Sequence, residues 1–459
     1  MASPVMLRSG DPSKARPGAL EAEAAATPPI GDHAAEWRRV RSAVALVRRE
    51  AVQTRARTLV AADLTPAQAA ALDREIVAGI VLANGSPTAH SAILTRSRGI
   101  PAVVGAGPDV LGIADGTTVA LDGEAGRLVV DPDPETLVQL KAQVAERDRL
   151  LAEALEAAAR PAVTSDGIEV HVAANVGSVD DATAAAGHGA DLAGLIRTEF
   201  LFLGRDAAPS IDEQEAAYRS VAALAGRRAV IRTLDVGGDK PLPYVDQPAE
   251  ANPFLGLRGL RLALAKPNLL RDQLAAISRV AADHPVSVMF PMVSHVDELL
   301  AARHFLDEVG NPSPAGLEVG MMIEVPAAAL KAAAFVPHLD FVSIGTNDLS
   351  QYALAAERGN EAVAASADPL DPGVLRLIDA VCQAVSGSGV RVAVCGEMAA
   401  DPAAVPLLIG LGVEELSVGP YSVPVVKQAV RNLCMSACRE LARHALSLPS
   451  AAHVRALVE

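Results

Sequence analysis

The chain has 459 residues, 50% of them apolar and 3% aromatic, with four cysteines and a formal net charge of −15. It is long enough for two or three domains with substantial cores, and its acidic balance argues against nucleic acid, whose phosphates require a basic surface. No uncharged apolar run approaches the roughly 18 residues of a membrane span, no secretory signal opens the chain, and four cysteines make no disulfide framework, so we expect a cytoplasmic protein without membrane insertion.

The first third of the chain divides into four predicted segments. Residues 1–32 mix Pro, Ala, Gly and charge without periodicity, which predicts disorder. One amphipathic helix is predicted within residues 33–58. A compact α/β unit follows over residues 59–132, with several short strands and a helix that begins near His90. Residues 133–161 predict a long helix with one apolar stripe, and we expect it to link two domains.

Residues 162–459 alternate apolar segments with stretches long enough for a helix. Parallel strands that are buried on both faces appear as nearly continuous apolar runs. Eight such units predict an α/β fold closed into a (β/α)8 TIM-type barrel. An open doubly wound sheet is the alternative, but no GxGxxG phosphate loop follows a strand. The predicted strands are 169–176, 192–199, 228–235, 286–293, 318–325, 341–346, 391–397 and 414–419.

Reactive side chains stand where several of these strands end. GMMIEV ends at Val325 just past Glu324, FVSIGTND contains Asn347 and Asp348, and VAVCGE contains Cys395. Because the carboxyl ends of barrel strands open on one face, we expect these side chains to lie close together. Glu324 and Asp348 offer the hard oxygen ligands that suit Mg²⁺ together with a substrate phosphate.

Arginines are predicted on the same face of the barrel. Arg197 and Arg232 end two strands, and Arg358 follows a third. A guanidinium group binds phosphate or carboxylate oxygens with two parallel hydrogen bonds. A single arginine or glutamate at a strand end is more often structural, but several on one face favour a site for a small anion with more than one negative charge.

His90 lies in the segment NGSPTAHSAILTRSRGIP, where a Gly-Ser-Pro turn precedes a predicted helix. The free N–H groups of a helix start stabilise a phosphate, and their field favours a neutral, nucleophilic imidazole. Arg96 is close enough in sequence to reach a phosphoryl group on His90. A lone histidine at a helix start is usually structural, but one in a small domain next to a phosphate-binding barrel is a candidate phosphoryl acceptor.

Taken together, these motifs resemble Enzyme I of the bacterial phosphoenolpyruvate:sugar phosphotransferase system. The resemblance covers roughly residues 59–435, and its specificity comes from eight ordered motifs. It implies a swivelling phosphohistidine domain at 59–132, a phosphoenolpyruvate-binding barrel at 162–459, a requirement for Mg²⁺ and a homodimer formed through the barrel. The segments that carry it are GSPTAHSAILTR, GLIRTEFLF, VIRTLDVGGDKPLP, NPFLGLRGLR, MFPMV, GMMIEVPAAA, IGTNDLSQYALAAERGN and VCGEMA.

The resemblance also implies roles for individual residues, by matching positions. His90 would be the phosphorylated residue, Cys395 the proton donor that completes pyruvate, and Glu324 with Asp348 the metal ligands. The implied contacts of phosphoenolpyruvate are Arg197, Arg232, Asn347, Asp348 and Arg358, with Lys240 and Arg261 as further contacts. The residues that would support the phosphohistidine are Thr65, Thr88 and Arg96.

The chain departs from the family pattern in two places. The histidine signature usually reads Gly-Gly-x-Thr-Ser-His, and here Ser86 and Ala89 replace a Gly and the Ser. The family also carries a four-helix subdomain before the ADLTP strand, which docks the phosphocarrier protein HPr. Only the predicted helix within residues 33–58 stands in that place. We therefore expect this helix to be what remains of a truncated HPr-binding subdomain. We also expect HPr docking to be impaired.

The predicted function is autophosphorylation of His90 by phosphoenolpyruvate with release of pyruvate, followed by transfer to HPr. The alternative is a phospho-relay or regulatory module that does not transfer efficiently to HPr. The related dikinases need an ATP-grasp domain, which the segment before Leu59 cannot hold. A barrel lyase that acts on an oxoacid is a weaker possibility, and it would leave His90 unmodified.

Overall fold

The computed structural model describes residues 57–458, with gaps at 66–67, 70–71, 74–75, 86–94, 96–99, 124–125, 226–227, 238–241, 248–249, 311–315, 358–359, 361–362 and 364–365. The predicted disorder of residues 1–32 and almost all of the predicted helix within residues 33–58 therefore lie outside the described residues. The chain forms two compact units: the smaller contains the described residues up to Leu150 and those within Glu357–Ala365, and the larger contains the described residues of Leu151–Ala356 and those after Ala365.

The smaller unit contains five short strands. Strands β1, β2 and β3 form a parallel sheet in that order, and β4 pairs with β5 as an antiparallel hairpin. Strand β2 is buried along nearly its whole length because it lies between two neighbours. Its Ile80 and Leu82 pack with Leu59 of β1 in the core of this unit. The strands are β1 Arg57–Ala61, β2 Val77–Leu82, β3 Ala102–Val103, β4 Val119–Asp122 and β5 Arg127–Val130.

Helix α1, Pro134–Glu156, begins where the sequence predicts. The Asp133 carboxylate caps it, because its Oδ1 accepts from the backbone N–H of Thr136 at 2.8 Å and its Oδ2 accepts from the Thr136 hydroxyl at 2.9 Å. These bonds satisfy a backbone donor that the first helical turn leaves without a partner.

The larger unit is a closed barrel of eight parallel strands, which confirms the predicted fold class. The strands follow one another around the barrel in chain order, and the last closes on the first through pairs such as Glu415 with His171. Most observed strands end before the predicted ones do, because the polar residues at the carboxyl ends belong to loops. The strands are β6 His171–Val176, β7 Ala193–Ile196, β8 Ala229–Arg232, β9 Val286–Phe290, β10 Glu318–Ile323, β11 Phe341–Ile344, β12 Arg391–Val394 and β13 Glu415–Val418.

Helices follow the strands and cover the barrel. In α6 the buried Leu270, Leu274 and Ile277 recur at helical spacing and pack in the main core. Truncation of such a residue to alanine costs about 2–5 kcal/mol. Among the described helices, none is long and apolar enough to cross a bilayer. The helices after α1 are α2 Val179–Gly187, α3 Glu199–Phe202, α4 Ile211–Ala225, α5 Leu260–Ala265, α6 Pro267–Ala281, α7 Val296–Gly310, α8 Pro326–Leu330, α9 Thr346–Leu354, α10 Pro372–Val385, α11 Val405–Leu411, α12 Val423–Arg431, α13 Met435–Ala445 and α14 Ala451–Val458.

An ionic layer closes the amino end of the barrel. Arg228 bridges Glu415, at 2.7 Å, and Glu318, at 3.2 Å. Arg391 also pairs with Glu318, at 2.6 Å. These groups pair with one another at the amino end of the barrel, and the charged groups of the candidate site lie at the opposite, carboxyl end.

Candidate active site

The carboxyl ends of the barrel strands bring together most of the predicted site residues that the structure describes. Each of these side chains stands at the end of a strand or in the first residues after it, and the parallel order of the strands places those positions on one face. The predicted residues on this face are Arg197 after β7, Arg232 at the end of β8, Glu324 after β10, Asn347 and Asp348 after β11, and Cys395 after β12. Glu199 after β7 and Asp235 after β8 lie on the same face.

A row of alternating charges crosses this face. The Arg232 guanidinium donates to Glu199 through Nη2 and lies 3.2 Å from the Asp235 carboxylate through Nη1. Arg258 continues the row, because its Nη2 donates to Asp235 at 3.2 and 3.3 Å. Its Nη1 donates to Oδ1 of Asp348 at 3.1 Å. All five side chains are buried.

Both arginines keep a donor without an acceptor. Arg232 is 7% exposed and Arg258 5% exposed. Burial lowers the pKa of each guanidinium group. The neighbouring carboxylates together raise it by more, so both arginines stay charged. Within the described part of the chain, the buried Nε–H of each has no hydrogen-bond partner. A buried donor without an acceptor is costly, so the two groups are suited to the oxygens of a bound anion.

Glu324 is 1% exposed and lies among other negative charges. Burial, and then the charges of Asp348 and Asp235, raise its pKa. Its Oε1 accepts from the backbone N–H of Met292 at 2.7 Å. Met292 has a φ of 57°, a left-handed conformation that only a few per cent of non-glycine residues adopt. Such backbone strain is concentrated at functional sites.

Glu324 and Asp348 offer carboxylate oxygens that could take part in binding a divalent cation. Burial and then the Asp348 charge raise the pKa of Glu324, and a divalent cation would stabilise the charged form of both carboxylates. No group of three or more His, Cys, Asp or Glu side chains that could hold a metal occurs among the described residues.

Cys395 presents a protonated thiol on this face. Burial raises its pKa to about 11; the Ser343 hydroxyl lowers it, the Glu324 charge raises it, and Arg232 and Arg197 lower it. The thiol donates to the carbonyl of Ile344 at 3.8 Å. At neutral pH this thiol is therefore protonated, which makes it a poor nucleophile and leaves it a proton that it could donate.

The loop that carries Cys395 is held against the start of α9. Oδ1 of Asn347 accepts from the backbone N–H of Glu397 at 3.0 Å. Gly396 lies so close to Thr346 that a Cβ atom on it would stand 1.9 Å from the Thr346 hydroxyl oxygen. The residue between Cys395 and Glu397 must therefore be glycine for the two loops to pack.

Two predicted residues make other contacts. Arg261 donates to the Ser294 hydroxyl at 2.8 Å and lies 3.6 Å from Glu298, and neither of these partners belongs to the charged row. Thr65 forms a capping box with Gln68: Thr65 N–H donates to the Gln68 side chain at 2.8 Å, and Gln68 N–H donates to the Thr65 hydroxyl at 3.3 Å. The predicted site residues that lie outside the described residues are His90, Thr88, Arg96, Lys240 and Arg358.

The sequence did not identify Glu199, Asp235 and Arg258 as site residues. Arg258 lies in the same NPFLGLRGLR segment as Arg261, and only the fold shows which of the two faces Asp348. Glu199 and Asp235 follow Arg197 and Arg232 by two and three residues. This repeated pattern of an arginine and then an acid at a strand end was a signal that could have found them.

The comparisons with known proteins agree with this arrangement. Residues 152–435 match the PEP-binding domain of PEP-utilising enzymes, and residues 55–126 match the mobile domain of the same enzymes. The chain is 46% identical over 410 residues to the phosphoenolpyruvate-protein phosphotransferase of Haloferax volcanii, which covers 86% of this chain and 70% of that protein. Its identity to the phosphoenolpyruvate-protein phosphotransferase of Bacillus subtilis is 41%, over 87% of this chain and 72% of that protein.

A further relative is much longer. The multiphosphoryl transfer protein of Rhodobacter capsulatus is 46% identical over 403 residues, which make up 87% of this chain. The chain spans only 48% of the length of that protein.

Proposed function

Because the chain belongs to the phosphoenolpyruvate-protein phosphotransferase family of PEP-utilising enzymes, we propose that it transfers the phosphoryl group of phosphoenolpyruvate to His90 and releases pyruvate. The observation that carries this proposal is the buried row of Arg232 and Arg258 between three carboxylates. The Nε–H of each guanidinium has no partner among the described residues. Phosphoenolpyruvate has two anionic groups, a phosphate and a carboxylate, which two such donors can bind.

Substrate binding would use arginines that are already held in place. Arg232 and Arg258 are already paired with Glu199, Asp235 and Asp348, so their positions are fixed before the substrate arrives. Charged donors that are held in place lose little entropy on binding. Arg197, which is half-buried at the end of β7, and Asn347 would add donors to the same anion. Arg358 and Lys240 are proposed as further contacts.

Membership of this family is consistent with a requirement for a divalent metal ion. We propose that the ion is Mg²⁺. Glu324 and Asp348 would hold it, since their buried charges otherwise repel each other. When bound, the ion would neutralise charge on the phosphate oxygens. Glu324 must lose its proton to act as a ligand, which its raised pKa opposes until the cation is present.

The chemical steps assigned to this chain are a phosphoryl transfer and a protonation. The P–O bond of phosphoenolpyruvate breaks, a P–N bond to the His90 imidazole forms, and the enolate of pyruvate is left in the barrel. The Cys395 thiol then gives its proton to C3 of the enolate, and the enolate oxygen becomes the ketone. The pKa of about 11 keeps this thiol protonated until that step.

The domain and partner assignments belong to the same proposal. Residues 59–132 are the phosphohistidine domain, 133–161 the linker helix and 162–459 the phosphoenolpyruvate-binding barrel. The phosphoryl group on His90 passes on to an HPr-like phosphocarrier protein, and two chains associate through their barrels. The relatives are phosphoenolpyruvate-protein phosphotransferases, which supports transfer to a protein and does not favour a module that retains the phosphate.

Phosphate mapping tests this function. The protein is incubated with phosphoenolpyruvate and Mg²⁺, digested, and searched for an acid-labile phosphate on the peptide that contains His90. The label should be absent in His90→Ala and present in His284→Ala, a matched control whose ring contacts Asp283 away from the site. Pyruvate production or oxoacid cleavage without a label on His90 would favour a lyase instead.

A further inference from the structure

Ser343 is a buried polar residue for which the mechanism so far has no use. It lies in β11, between apolar neighbours, and is 1% exposed. Among the residues that the structure describes, no group makes a hydrogen bond of good geometry with its hydroxyl. A buried hydroxyl without a partner opposes folding. Alanine would fill the same space without that cost, so the hydroxyl calls for an explanation in the function of the site.

The strand register places this hydroxyl beside Cys395. Ser343 pairs with Ala393 of β12, and Cys395 comes two residues later. Because side chains alternate along a strand, Ser343, Ala393 and Cys395 face the same side. Phe341, two residues before Ser343, packs with Cys395 in the interior cluster of the barrel, which identifies that side as the inside. In keeping with this placement, the Ser343 hydroxyl acts to lower the pKa of the Cys395 thiol, against the larger effect of burial, which raises it.

The present partner of the thiol suits only its protonated form. The thiol donates to the Ile344 carbonyl, and that oxygen also accepts from the backbone N–H of Cys395 at 3.1 Å. A carbonyl oxygen cannot stabilise a thiolate, so this contact becomes unfavourable once the proton has left. The charged groups that act on the sulfur are Glu324, which opposes the thiolate, and Arg232 and Arg197, which favour it. Ser343 adds a neutral donor, and its O–H can rotate to the sulfur without breaking another bond.

We propose that Ser343 is a positioning residue whose hydroxyl donates a hydrogen bond to the Cys395 thiolate that forms when the thiol protonates the enolate. This inference rests on the proposed function. The S–H bond breaks and a C–H bond forms at C3, while the S–H electron pair stays on sulfur. The Ser343 hydroxyl keeps its own proton throughout, and water later returns a proton to the sulfur.

Two measurements on Ser343→Ala test this role. The first is the pH dependence of Cys395 alkylation by iodoacetamide, read by mass spectrometry on the Cys395 peptide. The second is deuterium exchange into the methyl group of pyruvate, followed by NMR in D₂O with Mg²⁺. The free energy of a hydrogen bond to a charged group corresponds to a factor of about ten or more in an equilibrium constant, such as the acid dissociation constant of the thiol. We expect the pKa of Cys395 to rise by about one unit or more, and the exchange to slow by about tenfold or more, with little change in KM for phosphoenolpyruvate.

Two further variants isolate the hydroxyl. Ser343→Thr keeps it and should retain most of the wild-type exchange rate and alkylation profile. Ser278→Ala removes another buried hydroxyl without a partner among the described residues, on α6 away from the site, and should change neither measurement. A Ser343→Ala protein with the wild-type profile in both measurements would overturn the proposal. So would a Ser343→Thr protein as impaired as Ser343→Ala.

The test of Ser343 can give an answer even if the proposed function is wrong. Methyl exchange needs no phosphoryl transfer to His90, and alkylation needs no substrate. If His90 is never phosphorylated, the proposed function fails, and the alkylation profile still decides whether Ser343 donates to the Cys395 thiolate.

Discussion

Arg258 donates through Nη1 to Oδ1 of Asp348 at 3.1 Å, so an arginine occupies one oxygen of a carboxylate that is also proposed to bind the metal. The same guanidinium is held from the other side by Asp235. The anion-binding and cation-binding parts of the site therefore share one residue, and a change to Arg258 should affect the two ligands in opposite directions.

We predict that Arg258→Met tightens the binding of Mg²⁺ alone and weakens the binding of phosphoenolpyruvate. Removal of a buried positive charge leaves Glu324 and Asp348 more attractive to a cation, while the substrate loses a charged donor. Each effect should be about tenfold or more, because hydrogen bonds to charged groups contribute roughly 1.5–3 kcal/mol. Isothermal titration calorimetry measures both. Arg271→Met, which removes a partly exposed arginine paired with Glu308, is the control. Weaker binding of both ligands would contradict the shared role.

Glu324 should couple metal binding to pH. Its pKa is raised by burial first and then by Asp348 and Asp235, so in the metal-free protein it holds a proton above the ordinary carboxyl range. A group with a raised folded-state pKa contributes stability at low pH, and that stability is lost as pH rises through the raised pKa. We therefore expect the increase in Tm on addition of Mg²⁺ to grow as pH rises.

The same coupling predicts that Mg²⁺ binding releases a proton, seen as a dependence of the calorimetric heat on the ionisation enthalpy of the buffer. Glu324→Gln should abolish both the proton release and the Mg²⁺-dependent phosphorylation, while the fold is retained. Proton release that persists in Glu324→Gln would place the metal elsewhere.

Cys395→Ala should stop pyruvate formation and leave phosphoenolpyruvate binding nearly unchanged. The thiol is the proton donor in the proposed mechanism, and no direct contact with a substrate anion is assigned to it. General acid groups typically contribute 10²–10⁴-fold to a rate, so we expect a loss of that order in kcat. Cys382→Ala, which removes another buried thiol on α10, should keep full activity. Normal turnover by Cys395→Ala would refute the assignment.

Gly396→Ala should displace the loop that carries Cys395. The φ of Gly396 is −78°, which any residue can adopt, so the expected damage is purely steric and comes from Thr346. We predict a loss of at least tenfold in kcat from a shift of the thiol. Gly187→Ala, at the end of α2 with open space around its Cβ position, should be silent. Steady-state pyruvate assays compare the two, and equal activity would show that the loop tolerates the shift.

The sequence predicted the barrel because each of its strands is an apolar run that the following polar loop interrupts. The strand from Phe341 is an example: the predicted end at Thr346 was two residues beyond the observed end at Ile344. That error is informative, because the residues past the strand end are the ones that face the site. The capping box of Thr65 and Gln68 was also present in the sequence as a Thr-x-x-Gln pattern.

The pairing of charges could not be predicted in the same way. Arg258 and Asp348 are 90 residues apart in the chain and meet only because the barrel closes. Arg258 and Arg261 are equally basic and nearly adjacent, but α5 begins between them and turns Arg261 toward Ser294 and Glu298. The raised pKa values of Glu324 and Cys395 depend on burial, which no local pattern reports.

The stoichiometry of a single turnover tests the central claim most directly. The protein is mixed with excess phosphoenolpyruvate and Mg²⁺ without a phosphocarrier, and pyruvate and protein-bound phosphate are measured in the same quenched samples. The proposed mechanism predicts a burst of one pyruvate per chain, matched by one acid-labile phosphate on the His90 peptide, with neither in His90→Ala. Continuous pyruvate release without phosphate on His90, or an undiminished burst in His90→Ala, would contradict it.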